Sequence, residues 1–113
     1  MQRLPFPASV VGSMPRSAFV QDLINDRPPL SAERHAAEMD AAVRYIVALQ
    51  EHAGVDVITD GEWRRKSYIG VIAELAHGFT LEVNPADGRP WTVLTERLVP
   101  KEAGFIAAEA KFL

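Results

Sequence analysis

Gln50-Glu51-His52-Ala53-Gly54-Val55-Asp56-Val57-Ile58-Thr59-Asp60-Gly61-Glu62-Trp63-Arg64-Arg65 is the stretch whose reading decides the fold. It ends a helix, turns on a glycine, runs through a β-branched segment and opens into a charged loop. Those connections have the short lengths of an α/β unit. Working upstream, residues 31–53 predict one long helix: Ser31 is a good N-cap, Glu33 suits the first-turn dipole and Gly54 is a C′ residue. Met39, Val43, Ile46, Val47 and Gln50 fall at helical spacing on one face, while Glu33, Arg34, Asp40 and Arg44 face elsewhere, so the helix lies on a core.

Further upstream, Ala8-Ser9-Val10-Val11 is a short apolar run closed by Gly12-Ser13-Met14-Pro15, which reads as a buried strand entering a tight loop. Ser17 caps a short helix over residues 18–24, with Phe19, Leu23, Val20 and Ile24 at helical spacing, and residues 25–29 break it. The order is therefore β-α-α-β. Downstream, residues 64–77 predict a helix with Tyr68, Ile72, Leu75 and Ala76 on one side and Gly78 as its stop. Phe79, Leu81 and Val83, then Trp91, Val93 and Thr95, alternate with polar residues around the turn-rich Asn84-Pro85-Ala86-Asp87-Gly88-Arg89-Pro90, which predicts a β-hairpin. Residues 104–113 again have helical periodicity. The chain stops on Phe112-Leu113 without a polar tail, which predicts a piece of a longer protein; a C-terminal helix docked on its own core is the alternative.

Composition narrows the function classes. The 113 residues are 48% hydrophobic and 24% charged with a net charge of -3, so no single-sign field is available to recruit nucleic acid or an anionic membrane. No stretch approaches the roughly 20 apolar residues that span a bilayer, and a cytoplasmic location is the default. The absence of cysteine excludes disulfides, a thiolate nucleophile and sulfur ligands to zinc within these residues.

Two loops follow β-branched segments directly, and the C-terminal ends of parallel strands are where α/β proteins build sites. In the first, Gly12 permits close backbone approach, Ser13 offers a hydroxyl and an amide, and Arg16 offers a planar fork suited to a carboxylate. A turn with a solvated arginine is the plainer reading. In the second, Asp60 and Glu62 could bind an ammonium group, share a proton or reach a metal. Here the plainer reading makes Asp60 an N-cap, Glu62 a dipole partner and Arg64-Arg65-Lys66 a solvated face. His35, His52 and His77 read as surface or boundary residues, and Trp63 and Trp91 as packing.

Taken with their order and spacing, Val10-Val11-Gly12-Ser13-Met14-Pro15-Arg16 and the stretch from Gln50 to Arg65 resemble the opening of the catalytic barrel of cobalamin-independent methionine synthases and their shorter single-barrel relatives. Ile72-Ala73-Glu74-Leu75 and Asp87-Gly88-Arg89-Pro90-Trp91-Thr92 resemble a subgroup of those shorter proteins. The resemblance implies an α/β fold, the N-terminal portion of a (β/α)8 TIM barrel with an inserted β-hairpin near residues 79–97. Such barrels need about 250 residues, so residues 1–113 are expected to form a single partial domain.

The resemblance also implies methyl transfer from a folate to a thiol held by zinc. The loop matching Val11, Gly12 and Ser13 would contact the amino-acid substrate, and Glu62 would bind its ammonium group. Arg16 departs from the amide residue usual in methionine synthases proper, which puts homocysteine itself in doubt as the thiol. Zinc is implied for the complete protein, but its histidine, cysteine and glutamate ligands come from later strands, so the expectation is no metal ligand and no catalytic residue here. The expected partner is a small-molecule thiol or amino acid, with folate as the donor. Alternatives are a self-contained binding module that forms a homo-oligomer through exposed barrel faces, or a relative that adds a thiol to an epoxide or decarboxylates a porphyrin precursor.

Overall fold

The computed structural model describes residues 6–66, 70–101 and 103–113, with the side chains of Pro90 and Phe105 left out. It divides into two compact units, one ending at Lys66 and the other running through Phe112.

In the first unit, α1 (Ala18–Ile24) and α2 (Ala32–His52) start where the sequence predicts. The Ser17 hydroxyl accepts from Val20 N at 3.4 Å and the Ser31 hydroxyl from Arg34 N at 3.3 Å, each satisfying an amide that the first helical turn leaves free. Both helices end in the same motif. After α2, Gly54 N donates to Glu51 O and Val55 N to Gln50 O, with Gly54 at φ +75°. After α1, Asp26 N donates to Leu23 O and Arg27 N to Asp22 O, with Asp26 in the left-handed region at φ +54°.

The buried face of α2 is Met39, Ala42, Val43, Ile46 and Gln50, with Val47 at its margin, as the periodicity predicts. α1 contributes Val20 and Leu23, whereas Phe19 is 52% exposed. Helical spacing alone admitted Phe19 to the face; α2 meets α1 along Val20 and Leu23, one residue round the helix. Val20, Ala42, Ile46 and Trp63 close the core, with Met14 and Ile24 packed against it.

The two expected parallel strands are reduced to one parallel bridge between Ser9 and Val57. Ala8 O accepts from Asp56 N at 3.0 Å and Val57 N at 3.1 Å, and the Asp56 carboxylate accepts from Ala8 N at 2.8 Å. Pairing goes no further because Gly12 turns the first segment away at φ +78°, while the backbone of Thr59 is taken by the side chain of Gln50. The direction and adjacency of the pairing are those the β-α-α-β order demands.

In the second unit, the expected helix over residues 64–77 shortens to α3 (Gly70–Leu75). Tyr68 lies outside the described residues, and Ala76, His77 and Gly78 belong instead to a strand, β1 (Ala76–Val83), which pairs antiparallel with β2 (Pro90–Pro100). The hairpin is longer than its alternating core suggested because a bulge between His77 and Phe79 re-registers the ladder, bringing Ala76 opposite Pro100. Gly78 sits at that bulge at φ +107°. A Cβ there would stand 2.8 Å from Arg97 O, so the close backbone approach admits no side chain. The turn closes with Asn84 N on Arg89 O and Gly88 N on Asn84 O, both at 2.8 Å. Lys101 N donates to Leu75 O and Lys101 Nζ to Ala73 O, joining the end of α3 to the end of β2. The last helix, α4 (Phe105–Phe112), forms where its periodicity predicts.

Candidate functional site

Both predicted loops lie in the first unit, and they meet. Met14 N donates to Gly61 O at 3.0 Å, and Trp63 Nε1 donates to Met14 O at 3.3 Å, so the first loop is gripped on its amide and its carbonyl by the second. Gly61 makes the approach possible: at φ +66°, a Cβ on it would lie 3.2 Å from Met14 Cβ. Trp63 is 3% exposed and stacks on Tyr45 of α2 at a centroid distance of 6.5 Å, which anchors the second loop to the helix.

Across this junction the hydroxyl of Ser13 donates to Glu62 Oε2. Arg16 Nη2 donates to Glu62 O at 2.8 Å and to Arg65 O at 2.7 Å. Ser13, Arg16 and Glu62, picked from sequence 46 to 49 residues apart, are therefore one constellation. Gly12 and Val11 adjoin it on the first loop and are exposed; Val11 presents its whole side chain to solvent. The Arg16 fork, read from sequence as a carboxylate ligand, has its Nη2 on backbone carbonyls.

Glu62 is held in an uncommon conformation, φ +58°, with its N–H on Asp60 Oδ1 at 2.9 Å. Non-glycine residues in this region cost about 1 kcal/mol or more and persist where the surroundings over-determine them. Asp60 therefore acts as a turn-former rather than as a helix cap, since no helix follows directly. The solvated reading of Arg64 and Arg65 is corrected too. Arg64 Nη2 meets Asp40 Oδ1 on α2 at 2.8 Å, and Arg65 Nη1 lies 3.7 Å from Asp60 Oδ2 with its side chain only 12% exposed.

Gln50 is a residue whose role the sequence reading missed. Its amide donates to Thr59 O at 2.8 Å and accepts from Thr59 N at 3.0 Å, while Thr59 Oγ1 accepts from Gly61 N at 3.1 Å. It thus ties α2 to the mouth of the second loop. The available signal was an amide on the apolar face of a helix. Of the histidines, His52 and His77 are exposed, whereas His35 Nε2 stands 2.9 Å from Leu23 O and bridges α2 to α1. Trp91, read as packing, is 47% exposed.

What the junction offers chemically is a carboxylate at a loop tip, with a hydroxyl on one oxygen and flanking exposed backbone at Val11 and Gly12. A carboxylate so placed can accept charge-assisted hydrogen bonds from a cationic N–H donor. Among the described residues no group of three histidine or acidic side chains could hold a metal, and no helix is long and apolar enough to cross a membrane.

Known proteins are similar to this chain over the stretch that holds both loops. The family model described as "Cobalamin-independent synthase, Catalytic domain" matches residues 6–87, which contain both loops. The chain is 38% identical over 82 residues to a methionine synthase of Sulfurisphaera tokodaii, covering 70% of this chain and 24% of that protein. It is 32% identical over 81 residues to a 5-methyltetrahydropteroyltriglutamate–homocysteine methyltransferase of Trichodesmium erythraeum, covering 69% of this chain and 11% of that protein. The chain thus spans between about a tenth and a quarter of the length of these relatives. In fold it resembles the structure of a B12-independent methionine synthase from a Shewanella species, in complex with selenomethionine, at a TM-score of 0.66 and 21% identity, over 94% of this chain and 33% of that one. The matched stretch takes in the parallel bridge, α1, α2 and the Ser13 and Glu62 junction, and on that ground the chain belongs to the cobalamin-independent synthase family, within its catalytic domain.

Proposed function

We propose that this chain supplies the amino-acid-binding loops of a methyltransferase that moves a methyl group from a folate to a thiol. Glu62 takes the substrate's ammonium group, Ser13 orients the carboxylate that does so, and Val11 and Gly12 present backbone to the rest of the amino acid. The observation that carries the reading is the contact between Ser13 and Glu62, which joins the loops after the two parallel-bridged segments into one anionic cradle. We read the surrounding segments as the opening units of a (β/α)8 barrel, whose sites gather where such loops follow their strands.

The residues present do not fit a zinc centre. The chain has no cysteine, and the described residues bring no metal-binding trio together. On this reading thiol activation falls to residues other than these, and the chain alone is expected to bind without transferring.

Calorimetric titration with L-methionine tests the reading. Saturable binding is expected, weakened about tenfold or more by Glu62→Gln, because the amide removes the charge that pairs with the ammonium. No methyl transfer from methyltetrahydropteroyltriglutamate to homocysteine is expected from the chain alone. Binding that is indifferent to Glu62→Gln, or turnover by these residues, sinks the proposal.

A further inference from the structure

Arg16 Nη2 carries two hydrogens, and both are spent: one on Glu62 O at 2.8 Å and one on Arg65 O at 2.7 Å. Those carbonyls bracket a single turn, which Arg65 N closes by donating to Glu62 O at 3.4 Å. The guanidinium's Nε is buried and has no protein partner among the described residues, so the stem of the fork is sunk against the loop. With Asp60 Oδ1 accepting the Glu62 N–H at 2.9 Å, the peptide groups on both sides of Glu62 are held while its φ stays at +58°. A left-handed glutamate has no intrinsic reason to remain so. Something must over-determine it, and a cation donating to its carbonyl does so more strongly than a neutral donor.

We propose that Arg16 is a positioning residue: through Nη2 it holds the Glu62 turn in its left-handed form and so aims the Glu62 carboxylate at Ser13 and at the ammonium site, without itself taking the ligand's carboxylate on that nitrogen. The proposal rests on the amino-acid-binding function argued above. It makes the identity at this position a matter of loop geometry and not of which thiol is bound.

The test has two arms, both on the whole chain. Without ligand, amide hydrogen exchange is followed by NMR in the parent and in Arg16→Lys, whose ammonium keeps the charge but lacks the planar fork. Exchange at Glu62, Trp63 and Arg65 is expected to quicken about tenfold, while Val43 and Ile46 in α2 keep their protection. A loss of protection across α2 would mark general unfolding; in that case Arg16→Gln, shorter and neutral, takes the place of the lysine variant. Unchanged exchange in the turn overturns the proposal. With ligand, L-methionine and L-methioninamide, which lacks the carboxylate charge, are titrated against the parent and the variant. Equal fractional losses for both ligands are expected, since the defect lies in Glu62. A loss confined to L-methionine means that Arg16 meets the carboxylate and overturns the proposal. If the parent binds neither ligand, the amino-acid-binding function fails and the exchange arm decides the role of Arg16 alone.

Discussion

Gln50 and Thr59 hold each other twice: Thr59 N donates to Gln50 Oε1 at 3.0 Å, and Gln50 Nε2 donates to Thr59 O at 2.8 Å. A side-chain amide thereby stands where a neighbouring strand's backbone would, and it does so from a residue only 1% exposed. Gln50→Leu keeps the volume but leaves both backbone groups of Thr59 without that partner. We expect a loss of about 2 kcal/mol, the cost of unsatisfied, part-buried polar groups. Chemical denaturation followed by Trp63 fluorescence measures it, and a loss no larger than that of an exposed substitution would show that Thr59 finds water instead.

Gly61 supplies the second prediction. Its φ of +66° is available to glycine at little cost, and Met14 Cβ lies 3.2 Å from where its own Cβ would be. Gly61→Ala combines backbone strain with a close contact, and about 1 to 2 kcal/mol should be lost. Because Met14 N bonds to Gly61 O, the variant should also separate the loops. Chemical-shift changes reaching Ser13 would register the separation; changes confined to residues next to position 61 would contradict it.

These two residues show what the sequence could disclose. Ser17, Ser31 and Gly54 mark helix ends because capping acts within a few residues, and the cluster from Asn84 to Arg89 marks its turn for the same reason. The site was legible in its members but not in its wiring. Nothing near Arg16 in the chain announces that it reaches the carbonyls of Glu62 and Arg65, nor does anything near Arg64 announce Asp40. Such pairings depend on how α1 and α2 pack. Phe19 was misplaced for the same reason: periodicity limits a face to a few positions, and the partner surface chooses among them. The helix placed over residues 64–77 lost its end to β1 because Gly78 reads alike as a helix stop and as a strand bulge.

Two ion pairs on α2 should differ measurably. Arg64 and Asp40 meet at 2.8 Å with side chains 16% and 36% exposed, whereas Arg34 and Glu38 lie 3.7 Å apart with Arg34 at 70%. Solvent screens the second pair almost completely. A double-mutant cycle should give the Arg64 and Asp40 pair a coupling of up to about 1 kcal/mol, diminished by salt, and the Arg34 and Glu38 pair no more than about 0.5 kcal/mol. Equal couplings would mean that burial at the loop adds nothing.

The hairpin offers a substitution with no route of escape. At Gly78 the atoms that a Cβ would meet are Arg97 O at 2.8 Å and Glu96 O at 2.9 Å, both backbone, so no side chain can swing aside to make room. The residue's φ of +107° adds a conformation that alanine rarely adopts. Gly78→Ala must therefore shift the bulge or part the strands, and a cost of more than about 2 kcal/mol is expected locally. Two-stranded hairpins have little stability to spare, so the ladder beyond the bulge should open before anything else does. Hydrogen exchange separates the possibilities: faster exchange on both sides of the bulge, from His77 to Thr80 and across at Val93 and Val99, is the expected pattern. Protection retained at Val99 with loss only at Val93 would mean that the bulge moved one residue toward the turn, and full protection throughout would show that the close approach of Gly78 to β2 is not required for pairing.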